Sequence, residues 1–89
     1  MSYWVYMVRC SDGTLYTGSA ADVDKRAKVH NAKKGAKYTR SRTPVTVVYR
    51  EECGDKSAAL KRECEIKKLT RQEKLKLISE TEKTEITGE

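Results

Sequence analysis

The feature that most constrains the fold is a pair of strand-like runs, joined by a short turn, at the start of the chain. Residues 3–10 are rich in aromatic and β-branched side chains, and a second short run occupies residues 14–18. Such side chains favour strands. The intervening Ser11-Asp12-Gly13 is typical of a tight turn, so the two runs predict a β-hairpin.

The length of the hairpin loop decides which side chains share a face. A two-residue turn would place Tyr6 and Tyr16 on opposite faces. A three-residue loop pairs Cys10 with Thr14 and needs the left-handed conformation at Gly13. We favour this loop, which places four residues on one face: Tyr6, Val8, Tyr16 and Gly18. A tyrosine pair taken alone more often simply fills the core.

Length and composition predict one domain with a modest core. The chain has 89 residues, 36% of them charged and 37% hydrophobic. It contains neither an apolar stretch of membrane-spanning length nor a recognisable signal peptide. Its three cysteines are far apart and lack metal-binding spacing, which argues against a structural zinc site and favours reduced, semi-buried thiols in the cytoplasm: Cys10, Cys53 and Cys64.

Positive charge is concentrated in the first half of the chain. Residues 1–50 carry a net charge of +7 and residues 51–89 a net charge of −1. Lys25–Arg42 contains eight basic residues and no acidic one. Such a segment attracts a polyanion such as nucleic acid, although a charge run can also be a solvated face.

A helix is predicted from about Val23 to Lys33, with Asp22 as its N-cap and Gly35 near its end. One face of this helix should pack on the sheet, and four residues lie on it: Val23, Arg26, Ala27 and His30. Arg26 could instead extend to solvent, and His30 could be a satisfied core histidine. Together they form a candidate pair for catalysis.

A basic loop over residues 33–44 precedes the clearest strand, residues 45–51. Its cations, hydroxyls and one aromatic ring suit contacts to a sugar-phosphate backbone. The predicted nucleic-acid-binding residues are Lys33, Lys34, Lys37, Tyr38, Arg40 and Arg42.

The second predicted helix, about Lys56 to Leu69, carries two unequal glutamates. Glu63 lies on the apolar stripe, whereas Glu65 lies among basic residues on the solvated face. A carboxylate on a packing face needs a cation or a metal as partner, so Glu63 is the candidate metal ligand. A capping box at residues 70–73 begins a third helix, docked by Leu75 and Ile78, that ends near Ser79. Residues 1–79 are thus the predicted domain, and residues 80–89 a disordered tail.

These residues suit metal-assisted phosphodiester hydrolysis. Glu63 would hold one divalent cation, Mg²⁺ or Mn²⁺, that polarises the phosphate. Arg26 would pair with the non-bridging oxygens. Tyr6 would accept the proton of the attacking water, for which it would need neighbouring cations or the metal, because the pKa of an unperturbed tyrosine is about 10.

The ordered motifs resemble the GIY-YIG nuclease superfamily. The matching residues are Trp4-Val5-Tyr6, Tyr16-Thr17-Gly18, Arg26-x-x-x-His30 and Glu63. The stretches 31–39 and 63–69 resemble its small stand-alone bacterial branch, an uncharacterised protein family, and the match spans residues 3–78. In two departures, Trp4 replaces a usual glycine and Thr17 a usual isoleucine, and no late asparagine aligns with the one in larger members.

The resemblance implies an α+β fold, a three-stranded antiparallel sheet flanked by three helices in the order β-β-α-β-α-α. It implies one catalytic metal and no organic cofactor. By motif position the catalytic residues are Tyr6, Tyr16, Arg26, His30 and Glu63, with Gly18 as a structural motif residue.

Three functions follow as hypotheses. The first is a metal-dependent DNA endonuclease acting in repair, recombination or other nucleic-acid processing. Without an appended recognition module it would be structure-selective or weakly specific, with branched or single-strand-containing DNA as partner. The second is a catalytically weak or inactive nucleic-acid-binding adaptor of the same fold. The third is a protein-interaction domain.

Overall fold

The computed structural model describes residues 2–35 and 37–87, and for residues 37, 38 and 81–87 it describes the backbone only. A three-stranded sheet carries helices in the predicted β-β-α-β-α-α order. One short helix, α2, lies where only a loop was predicted. The elements are β1 (Trp4–Arg9), β2 (Leu15–Ala20), α1 (Val23–Asn31), α2 (Lys37–Arg40), β3 (Thr46–Glu52), α3 (Lys56–Lys67) and α4 (Arg71–Thr87).

The sheet is antiparallel, with strand order β2-β1-β3. Its hairpin has the predicted three-residue loop: the Cys10 amide donates to the Thr14 carbonyl at 2.9 Å. Gly13 has φ +84°, the left-handed conformation that such a loop requires. In the resulting register Tyr6 lies opposite Gly18, so the predicted face of the hairpin is confirmed.

The two faces of the sheet bury separate apolar clusters. Alternate residues of β1 point to opposite sides, as a pleated strand dictates. The cluster under α3 and α4 contains Val5, Met7, Tyr49, Ala59, Ile66 and Ile78, with Leu75 packed against it. The cluster under α1 contains Tyr6, Val8, Cys10, Ala20, Val23 and Val45.

Helix α1 begins as predicted and ends earlier. The side chain of Asp22 accepts from the Lys25 amide at 3.0 Å and caps the N-terminus. At the C-terminus, Lys33 takes the left-handed conformation with φ 63°, and the Lys34 amide bonds to the Val29 carbonyl at 3.1 Å. This is a Schellman-type end with lysine in the glycine position, so the prediction that Gly35 ends the helix is wrong.

Helices α3 and α4 begin at their predicted caps, but α4 does not end where it was predicted to end. Asp55 caps α3 through the Ala58 amide at 2.8 Å. Thr70 and Glu73 form the expected reciprocal capping box. The backbone of α4 continues to Thr87, so the predicted end near Ser79 is wrong, because residues 80–87 include neither glycine nor proline to end a helix. The last part of the predicted tail, residues 88–89, lies outside the described residues.

In the part of the chain that the structure describes, no helix combines the length and apolar character needed to cross a bilayer. The three cysteines are free. Cys10 is buried and Cys53 partly buried, whereas Cys64 is exposed, so the expectation of semi-buried thiols fails for Cys64.

Candidate active site

A buried pair formed by Tyr6 and His30 lies at the centre of the candidate site. Strand β1 presents Tyr6 toward α1, and the α1 residues spaced three and four apart present His30 toward the sheet. Their side chains are 1% and 0% exposed. The Tyr6 hydroxyl and His30 Nε2 are 2.8 Å apart, a full hydrogen bond shielded from solvent.

The second ring nitrogen of His30 meets a threonine that the sequence did not single out. His30 Nδ1 lies 2.8 Å from Oγ1 of Thr39, which is fully buried in α2. Gly35, in the same loop, passes so close that a Cβ there would overlap the imidazole. The segment predicted to bind nucleic acid therefore also closes over His30.

Burial sets the protonation of both groups. The pKa of His30 is lowered, first by desolvation and then by the positive charge of Arg26, so its imidazole is neutral at pH 7. The pKa of Tyr6 is raised, mainly by desolvation, although a hydrogen bond from Arg26 opposes this. The neighbouring cation does not outweigh burial, so Tyr6 is a neutral phenol in the protein without a bound metal.

Tyr16 and Gly18 complete the hairpin side of the site. Tyr16 is half-buried, and its ring meets the His30 ring edge-on with centroids 5.5 Å apart. A Cβ at Gly18 would lie 2.6 Å from the Tyr6 hydroxyl oxygen. Glycine at this position therefore leaves room for the phenol.

Arg26 lies at the edge of the site and is exposed, not packed. Its exposure agrees with the second alternative, in which the long side chain extends toward solvent from the helix face that it shares with His30. It lines a cavity of about 290 Å³ with Lys25, Val29 and residues 20–22, which connect β2 to α1. Its positive charge is close enough to oppose the rise in the pKa of Tyr6 and to help lower the pKa of His30.

The two glutamates of α3 differ as predicted. The side chain of Glu63 is 17% exposed and that of Glu65 is 65% exposed. Glu63 Oε2 lies 2.7 Å from Nζ of Lys67, a partner that the sequence analysis missed. Glu65 pairs with Arg62 at 3.1 Å. The charge of Glu63 is close enough to contribute to the raised pKa of Tyr6.

The carboxylate of Glu63 is an oxygen ligand that suits weak binding of a hard cation such as Mg²⁺. Among the side chains that the structure describes, no three from His, Cys, Asp or Glu converge as a metal cage. Mg²⁺ does not need one, since it keeps most of its waters and binds through one or two carboxylates and substrate phosphates. Glu63 can supply one such carboxylate if the ammonium group of Lys67 moves away from it.

The predicted nucleic-acid-binding residues divide into two groups. Lys33, Lys34 and Arg40 are exposed after α1. Arg42 instead bridges to Asp12 of the hairpin loop at 3.0 Å, which ties the two loops together. The side chains of Lys37 and Tyr38 lie outside the described residues.

Asn31 fixes the end of α1 against the start of β3. Its side-chain nitrogen donates to the Val45 carbonyl at 3.1 Å, and its side-chain oxygen accepts from the Val45 amide at 2.6 Å. The carboxamide thereby satisfies both backbone groups of Val45, as a neighbouring strand would. His30 is adjacent in sequence, so this contact helps to hold the imidazole in place.

Comparison with known proteins agrees with the motifs. The model of the GIY-YIG catalytic domain, a nuclease domain, matches residues 2–76. The UPF0213 proteins of Staphylococcus aureus strains N315 and COL are each 60% identical to this chain over 79 residues, 89% of this chain and 96% of theirs.

Two solved structures share the fold. The solution NMR structure of the UPF0213 protein BH0048 from Bacillus halodurans has a TM-score of 0.57 at 44% identity and covers 89% of this chain and 84% of its own. That of EF2693 from E. faecalis has a TM-score of 0.61 at 34% identity, with coverage of 92% and 88%.

Proposed function

The chain belongs to the GIY-YIG family, in its UPF0213 branch, and we propose that it is a metal-dependent DNA endonuclease that hydrolyses phosphodiester bonds. The observation that carries the proposal is the 2.8 Å contact between the Tyr6 hydroxyl and His30 Nε2. This contact gives a neutral phenol a proton acceptor at the place where a water molecule would have to be activated.

The proton path runs through two residues. Tyr6 accepts the proton of the attacking water as it passes its own proton to Nε2 of His30. A phenol whose pKa is raised by burial could not act as a base alone, because it keeps its proton. The neutral imidazole supplies the missing lone pair.

The phosphate is held from the exposed side. Arg26 donates to the non-bridging oxygens, where negative charge increases in the transition state. Glu63 would hold one Mg²⁺ or Mn²⁺. When bound, the cation polarises the phosphate and stabilises the leaving oxygen.

The exposed cations of the loop after α1 supply affinity through phosphates. Such contacts carry little base information, so the enzyme would be structure-selective or weakly specific and would favour branched or single-strand-containing DNA. Repair or recombination in the cytoplasm is the proposed setting, and the three free cysteines accord with it.

The test is nicking of supercoiled plasmid and a branched duplex with Mg²⁺ or Mn²⁺, comparing Glu63→Gln with Glu65→Gln. Both variants remove one charge and one ion pair from the same helix, and Arg62 keeps its second partner, Glu51. Glu63→Gln should abolish nicking and retain DNA binding, whereas Glu65→Gln should nick as the wild type does. Equal nicking by both variants would exclude the proposed role of Glu63.

A second candidate is a nucleic-acid-binding adaptor without turnover. The ion pair of Glu63 with Lys67 favours it, because this pair occupies an oxygen that the metal would need. Under this hypothesis wild type and both variants bind DNA with the same salt dependence, and none of them nicks any substrate.

A further inference from the structure

The chain has a single histidine, and both of its ring nitrogens are engaged inside the protein. A neutral imidazole carries one proton, so one nitrogen donates and the other accepts. Tyr6 and Thr39 can each donate or accept. The function of the pair therefore depends on which nitrogen carries the proton.

The surroundings of Tyr6 decide this question. Nε2 of His30 lies 2.8 Å from the Tyr6 hydroxyl, and Nδ1 lies 2.8 Å from the Thr39 hydroxyl. The positive charge of Arg26 opposes the rise in the pKa of Tyr6, and so favours the phenol as the donor to Nε2. A phenol is also a stronger acid than an aliphatic hydroxyl, which makes it the better donor to an imidazole lone pair.

With Nε2 accepting, the imidazole proton lies on Nδ1 and needs an acceptor of its own. Thr39 Oγ1, at 2.8 Å and fully buried, is that acceptor. The close passage of Gly35 over the imidazole brings this loop within reach. Thr39 thus satisfies a buried donor that would otherwise be unpaired.

We propose that Thr39 is a positioning residue that holds His30 in the tautomer protonated on Nδ1, so that Nε2 stays open to the proton of Tyr6. The opposite tautomer would point Nε2–H at the Tyr6 oxygen, and the proton of the Tyr6 hydroxyl would have no acceptor on His30. The catalytic consequence rests on the proposed nuclease function. The tautomer itself is a property of the folded protein alone.

The first test is ¹⁵N NMR of the histidine ring in the full chain at neutral pH, where a single histidine gives one pair of ring signals. Wild type and Thr39→Ser should show a protonated Nδ1 and an unprotonated Nε2. Thr39→Val keeps the shape but removes the acceptor, and should move the proton to Nε2. A wild type protonated on Nε2 would overturn the proposal, even if the valine variant fails to fold.

The second test is the kinetics of plasmid nicking. Thr39→Val should lower kcat by about 100-fold or more, the usual contribution of a general base, with KM for DNA changed less than twofold. Thr39→Ser should restore most of kcat. The control is Thr46→Val on the exposed start of β3, which should leave the tautomer and the rate unchanged.

The two measurements separate the two hypotheses. A protein that nicks no DNA but shows the Nδ1 tautomer, lost in Thr39→Val, refutes the nuclease and supports the positioning role. A valine variant with wild-type tautomer and wild-type kcat refutes the positioning role alone.

Discussion

The Nζ atom of Lys67 lies 2.7 Å from Oε2 of Glu63, one helical turn away on α3. The lysine side chain is half exposed and the glutamate largely buried. In the absence of a cation, Lys67 neutralises a carboxylate that would otherwise face a low-dielectric region alone. A metal ion bound to Glu63 as proposed would therefore compete with Lys67 for the same oxygen.

Lys67→Met should strengthen metal binding at Glu63. A partly exposed ion pair is worth about 1 kcal/mol or less, so the half-saturating Mg²⁺ concentration should fall by up to about fivefold. The measurement is a Mg²⁺ titration of nicking, or of Mn²⁺ binding by electron paramagnetic resonance. Lys68→Met removes the same charge from an exposed position, and an equal fall in that variant would trace the effect to net charge.

Gly18→Ala should displace the Tyr6 phenol, because the new Cβ would lie 2.6 Å from its hydroxyl. Overpacking of this kind costs about 1–3 kcal/mol of stability. A shift of the reacting group by about 1 Å can cost about 100-fold in rate. Urea unfolding and plasmid nicking measure the two effects. Ser19→Ala, at the next position of β2, should change neither, and full activity of Gly18→Ala would show that the phenol is not a reacting group.

The free energy of unfolding should decrease as the pH is lowered from neutrality. His30 has a lowered pKa in the folded state, from burial first and Arg26 second. Above about pH 6.5, the unfolded-state value, both states are neutral and the stability is fully present. As pH falls below that value the unfolded chain takes up a proton that the folded chain refuses, so stability is lost. Urea midpoints from pH 8 to pH 5.5 should decline in wild type and remain flatter in His30→Gln.

Thr17→Val should stabilise the protein. Thr17 is 3% exposed, and its Oγ1 has no hydrogen-bond partner among the described residues. Replacing a buried, unsatisfied hydroxyl with a methyl group of the same shape should raise the free energy of unfolding by about 1 kcal/mol. The control is Thr46→Val at an exposed strand position, which measures only the change in unfolding free energy due to the higher strand preference of valine. A gain no larger than in that control would mean that the Thr17 hydroxyl is satisfied by water.

The fold could be predicted largely from local signals. The Gly13 turn and the alternation of side chains determine the hairpin register, and Asp22, Asp55 and the capping box mark where helices begin. The neighbours of Glu63 on the helix predicted its burial. Each of these signals lies within a few residues of the feature that it specifies.

The remaining parts of the site depend on contacts between distant segments. Thr39 belongs to a basic loop, and nothing in that loop indicates that a hydroxyl meets His30 nine residues earlier. The exposure of Arg26 depends on the length of its side chain, which helical periodicity does not measure. The role of Gly35 follows from close approach to the imidazole, which its position after a helix does not predict.

The carboxamide of Asn31 bonds to both backbone groups of Val45, and this has a consequence for the ageing of the protein. Spontaneous deamidation would replace the donor nitrogen with a carboxylate oxygen facing the Val45 carbonyl. Two acceptors would then oppose each other where one bond had joined α1 to the sheet. A stored sample could thus lose activity through a single-atom change one residue from His30.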